Sequence, residues 1–173
     1  MKADLAAAAI VFAATIPAAN WMIGNVGTCL PDGPCTIPVG FGLEAPSGVL
    51  MIGLALVVRD LVHEKGDLVD VLNAIALGGV VSALVAPPAL AVASTVAFLA
   101  GELADLAVYA PLRRRRLWLA VGLSGIAGAI IDSAMFLWLA FGSLDLVGGQ
   151  IVGKTYASVA AAAALCIRRR AAG

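Results

Sequence analysis

Six apolar stretches occupy most of this chain: Ala3–Ile23, Ser47–Val58 (reaching back to Val39 on a generous reading), Leu68–Leu84, Ala89–Tyr109, Leu117–Phe141 and Leu146–Ile167. A helix needs about 20 predominantly apolar residues to cross a bilayer. Of the 173 residues only 13% are charged and 62% are apolar, against about 25% and 45–50% in soluble domains. So few charges cannot coat a water-facing surface, and a water-soluble enzyme is excluded. Strand-like alternation is absent from the six stretches, whereas a membrane barrel needs alternating segments of about ten residues. The expectation is an all-α integral membrane protein: a six-transmembrane-helix bundle forming a single transmembrane domain over residues 1–173.

Two junctions stand out. Ala86-Pro87-Pro88 splits the third and fourth spans as a tight turn, since proline removes a donor and blocks helix continuation. The second span is short, and Gly42, Glu44, Pro46 and Gly48 interrupt its start. Broken backbone at membrane depth survives only when buried in protein or lining a wet cavity, so this segment is a candidate wall of a site.

Net charge is zero, with 11 basic and 11 acidic residues. The placement of the basic residues is informative, because they gather in cytoplasmic loops. Lys2, Arg59, Lys65, Arg113–Arg116 and Arg168–Arg170, ten of the eleven, fall on one side of the predicted spans, and the exception, Lys154, lies within span six. Both termini are therefore expected in the cytoplasm, in a multi-pass protein of the inner (plasma) membrane. Span one also reads as a signal peptide with a small-residue end, which would leave five spans. The Arg113–Arg116 run is explained as an anchor beside anionic membrane lipid, and nucleic acid is not an expected partner.

Cys29 and Cys35 flank a Pro-Asp-Gly-Pro turn in a loop on the opposite side, a compartment that permits disulfides. A disulfide is the leading reading. A metal is not expected, because the single histidine, His63, lies across the membrane. Gly148-Gly149-Gln150-Ile151-Val152-Gly153-Lys154-Thr155 matches the phosphate-loop pattern letter for letter. That pattern works only between a strand and a helix amino terminus. Here it follows a membrane span, so the match is read as coincidental and no cofactor is expected.

Ionisable residues inside a bilayer cost about 2.5–3.5 kcal/mol on insertion scales, so they face the bundle interior, pair, or mark a pathway. Glu102, Asp105, Asp132 and Lys154 are such residues, with Asn20, Asn73, Ser47 and Tyr109 as weaker company. From the helical rise, Asp105 and Glu102 lie about 12 and 16 Å from the basic end, and Asp132 and Lys154 about 24 and 21 Å. The last two thus share a level, which suits an interhelical ion pair. Glu102 and Asp105 are three residues apart, with Phe98 and Tyr109 extending their face. Two carboxylates, a ring and a phenol on one face suit a flat, hydrogen-bonding guest. The plainer reading is that these carboxylates only bond neighbouring helices.

Asp60-Leu-Val-His-Glu64-Lys-Gly66, Ser94-Thr-Val-Ala-Phe98-Leu-Ala-Gly101-Glu102-Leu-Ala-Asp105-Leu-Ala-Val-Tyr109 and the later Ser124…Asp132…Phe136 span carry a resemblance. Together they resemble the VUT family of small membrane proteins, the queuosine-precursor transporters. The match departs at Leu43-Glu44-Ala45-Pro46-Ser47, where the family usually has an aromatic, proline and threonine. The resemblance implies uptake of 7-cyano- or 7-aminomethyl-7-deazaguanine for tRNA modification. Such a base presents N1–H and an exocyclic amine side by side, and one carboxylate can accept both. Glu102 is the first choice for that role and Asp105 the second. Phe98, Tyr109 or Trp21 would stack on the ring, and Asn20 and Asn73 would supply amides. Arg59, Asp60 and Glu64 read as a gate or a structural ion-pair cluster.

The leading function is therefore a transporter of a purine-like small molecule. The alternative is the substrate-binding subunit of an energy-coupling-factor vitamin transporter. In that reading small residues of span one (Ala6–Ala9, Ala14–Ala18) dock an energy-coupling ATPase module; a homodimer is another candidate partner. An intramembrane enzyme is disfavoured, since Ser133 beside Asp132 points about 100° away from it on a helix.

Overall fold

The computed structural model describes residues 2–31, 33–112, 117–156 and 159. Among these residues the chain forms α1 (Lys2–Asn25), β1 (Thr28–Cys29), β2 (Cys35–Gly40), β3 (Leu43–Pro46), α2 (Val49–Lys65), α3 (Leu68–Val85), α4 (Pro88–Leu112) and α5 (Leu117–Phe141). A further helical run, α6, covers residues 147–156. The rest of the predicted sixth span, with Cys166 and Arg168–Arg170, lies outside the described residues, as does Arg113–Arg116.

Among the described residues, four helical segments are long and apolar enough to cross a membrane: Asp4–Asn25, Leu68–Val85, Pro88–Tyr109 and Leu123–Phe141. In α2 the apolar part is the shorter Val49–Arg59. The surface is inverted relative to a soluble protein. Leu84, Val80, Leu103 and Ile10 are exposed, while Glu102, Asp132, Gln150 and Lys154 are buried. Burial of charge is tolerated only with partners, and each of the three charged groups has one here.

The extension of span two back to Val39 is overturned. Residues there form an antiparallel sheet of order β1-β2-β3, not a helix. Gly40, Phe41 and Gly42 all take positive φ and turn β2 into β3; helix cannot continue through three such residues. Pro38 and Pro46, each without a backbone donor, sit within the strands. Thr36 Oγ1 donates to Glu44 Oε2 at 2.6 Å across the β2–β3 pair. Thr28 pairs with Thr36 and Cys29 with Cys35, and a disulfide joins the two cysteines.

Helix starts follow local chemistry. Asp67 caps α3 by accepting from the backbone N–H groups of Val69 and Asp70, while Asp70 accepts from Asp67 N, a reciprocal capping box. Ser47 donates to Met22 O at 2.7 Å and fastens the start of α2 to the end of α1.

The largest helix interface joins α4 to α5. It closes at Gly101 and Gly128, where a methyl on Gly101 would come 2.8 Å from Asp132 Cβ and one on Gly128 would come 3.3 Å from Asp105 Cβ. Without a side chain at either point the backbones approach closely, the usual device where lipid offers no hydrophobic drive to pack. One apolar cluster, built on Phe12, Ile16, Val62, Val71, Ile75 and Phe98, holds α1 to α4 together. A second, with Ile23, Ala97, Phe136 and Leu137, lies toward the sheet.

Candidate functional site

A cavity opens in the half of the bundle nearest the sheet. The space open to a water-sized molecule is about 20 Å³, within a recess of about 300 Å³ that includes open solvent, and five helical segments wall it. Asn20 and Ile23 come from α1, Val49 and Ile52 from the first turns of α2, Ser94 and Phe98 from α4, Asp132 and Phe136 from α5, and Gln150 and Lys154 from α6. The interrupted start of span two, with Gly48 in the lining, is thus one wall of this space.

Its polar groups are ordered by one another. Lys154 Nζ donates to Asp132 Oδ2 at 2.5 Å and to Ser133 Oγ at 2.8 Å, joining α6 to α5. Lys154 is only 2% exposed. A lysine has three donors, so among the described residues one N–H of Lys154 remains after these two bonds. Asn20 donates to Ser82 Oγ and accepts from Ser94 Oγ, both at 2.6 Å, so one amide spans α1, α3 and α4. Gln150 differs: it is 2% exposed and its Oε1 has no hydrogen-bond partner among the described residues. Phe98 meets Phe12 edge to face and Phe136 meets Phe141 likewise, at centroid separations of 6.1 and 5.8 Å. The two cavity rings are therefore fixed in place.

The other predicted site residues fall elsewhere. Glu102 is buried, but its Oε1 accepts from Arg59 Nη1 at 2.5 Å, and it does not line the cavity. Ser94, Phe98 and Glu102 recur at four-residue spacing along α4, so Glu102 lies one turn beyond Phe98, away from the sheet. Asp105 is partly buried, with its Cβ facing Gly128 of α5. Tyr109 is partly buried near the end of α4, Asn73 is exposed on α3, and Trp21 is 51% exposed. Ser47 is fully buried against Met22 O rather than in the lining. Asp60 and Glu64 belong to the last turns of α2, and their side chains lie outside the described residues.

Sequence reasoning passed over Gln150 because it stood inside the phosphate-loop match. The structure accounts for those letters differently. Residues 148–155 are helical, not a loop. Gly149 is where α6 meets the Glu44 carbonyl of β3, and a methyl on Gly153 would come 2.9 Å from Val49. Thr155 Oγ1 donates to Ile151 O at 2.8 Å. The glycines make room for the hairpin, and Lys154 is committed to Asp132. Ser133 Oγ accepts from Lys154 Nζ at 2.8 Å, so it belongs to the same α5–α6 tie. Among the described residues no three His, Cys, Asp or Glu side chains gather into a metal site.

An apolar exterior, buried paired charges and several long apolar helices define a multi-pass membrane protein. The chain belongs to the family described as Putative vitamin uptake transporter, which it matches over residues 37–167; it is a membrane transporter of a small molecule. No curated protein and no solved structure matches the chain.

Proposed function

We propose that this protein imports a queuosine precursor, 7-cyano- or 7-aminomethyl-7-deazaguanine, through the cavity beneath the sheet. In this reading the chain is one domain of six spans in the inner (plasma) membrane, with both termini in the cytoplasm. The observation that carries it is the chemistry of the lining. Two phenyl rings stand beside a carboxylate, an ammonium, a hydroxyl and two carboxamides, all from helices that only the folded bundle brings together. Phe98 and Phe136 offer ring faces to a flat heterocycle. Asp132 takes the role first considered for Glu102, accepting N–H groups of the guanine-type edge. The spare N–H of Lys154 suits its carbonyl. The Arg59–Glu102 pair, one turn further along α4, would close the bundle beneath the guest, with Asp60 and Glu64 as candidate partners of that gate.

The test is uptake of labelled 7-deazaguanine by cells unable to synthesise queuosine. Wild type should restore modified tRNA, and Asp132→Asn should not. If wild type fails to restore it, the substrate assignment falls.

A second reading, the substrate-binding subunit of an energy-coupling-factor transporter, draws on α1. Ala6, Ala7 and Ala14 are exposed there, and small residues favour close helix docking. Uptake by the purified chain alone in vesicles supports the first reading. Recovery of a stable complex with ATPase subunits, and no uptake without them, supports the second.

A further inference from the structure

We infer that Gln150 is a cargo-contacting, specificity-determining residue: its side-chain oxygen accepts an N–H from a guest that carries no net charge. The inference rests on the proposed transport of a deazaguanine and narrows it to the neutral 7-cyano compound over the cationic 7-aminomethyl one.

Gln150 Oε1 is buried, lines the cavity and is without a partner among the described residues. Buried acceptors are seldom left unmade, because the desolvation of the group is then uncompensated. Every other buried polar side chain in this lining has a partner inside the protein: Asn20 with Ser82 and Ser94, and Lys154 with Asp132 and Ser133. A guest that donates to Gln150 completes the set. Gln150 and Lys154 are four residues apart on α6, and such residues lie on one face of a helix. A guest that meets one of them is therefore beside the other.

Charge follows from the same lining. Its two formal charges, on Asp132 and Lys154, cancel in one ion pair. A cationic guest would have to take the carboxylate from Lys154 or enter a low-dielectric space with no counter-ion, which is costly. A neutral N–H-rich ring asks for neither.

The experiment measures binding of 7-cyano-7-deazaguanine and 7-aminomethyl-7-deazaguanine to purified protein in detergent, with thermal melting of the empty protein alongside. Gln150→Met keeps the length of the side chain and removes the acceptor. The expected result is a loss of affinity of tenfold or more for the 7-cyano compound, while the empty variant melts no lower than wild type. Gln150→Asn, which keeps a neutral acceptor oxygen, should lose less. Wild type should prefer the 7-cyano compound at least tenfold. Unchanged affinity in Gln150→Met, a lower melting temperature of its empty form, or equal binding of the two compounds would overturn the inference and leave the transport reading standing. If wild type binds neither compound, both fall together.

Discussion

Arg59 of α2 and Glu102 of α4 are joined Nη1 to Oε1 at 2.5 Å, one helical turn beyond the Phe98 ring that walls the cavity. The carboxylate thereby ties α4 to α2, outside the lining of that cavity. Both side chains are largely buried, at 13% and 6% exposure, so solvent screens the pair little and its loss leaves a charge in a poor environment.

Glu102→Gln is accordingly expected to lower stability by up to about 3–5 kcal/mol, since it removes the charge of one member of a buried pair. Affinity for cargo should stay within a few-fold of wild type. Thermal melting and binding on the same preparations check both outcomes.

Asp132 and Lys154 give a similar cost in stability but the opposite outcome in binding. Either single change, Asp132→Asn or Lys154→Met, breaks a buried pair and should cost about 3–5 kcal/mol. The double variant Asp132→Leu with Lys154→Met should refold to near wild-type stability and yet bind no cargo. A stable double variant that still transports would remove the pair from the site.

Gly149 sits against the Glu44 carbonyl of β3. Gly149→Val must push the hairpin away from α6, an overpacking that costs about 1–3 kcal/mol. Melting should register the loss. Faster hydrogen exchange in β2 and β3, with α3 unchanged, would show that the damage is local to the hairpin.

The Cys29–Cys35 bridge closes a loop with a sequence separation of six. For so short a loop the chain-entropy contribution is about 2 kcal/mol. Cys29→Ser with Cys35→Ser should therefore loosen the sheet without unfolding the bundle. In intact cells the native pair should react with a membrane-impermeant maleimide only after reduction, which also tests on which side of the membrane the loop lies.

What the sequence determined was set by local quantities. Apolar run length and scarce charge are properties of contiguous chain, and they defined the membrane class and the long helices. The fixed rise of a helix put Asp132 and Lys154 at one level before any packing was known, and in the structure they are bonded. The hairpin was missed because its strands are short and broken by prolines and glycines, so no alternation over 35–46 was long enough to read.

Tertiary structure decided which buried polar group faces the cavity and which faces a neighbouring helix. Periodicity assigns a residue to a face but cannot say what stands opposite that face. Glu102 and Asp105 shared a promising face, yet α2 brings Arg59 to one and α5 presents Gly128 to the other. Gln150 carried no signal in its own neighbourhood. Its open acceptor exists only because four other helical segments converge with α6 around the cavity and, among the described residues, none supplies a donor.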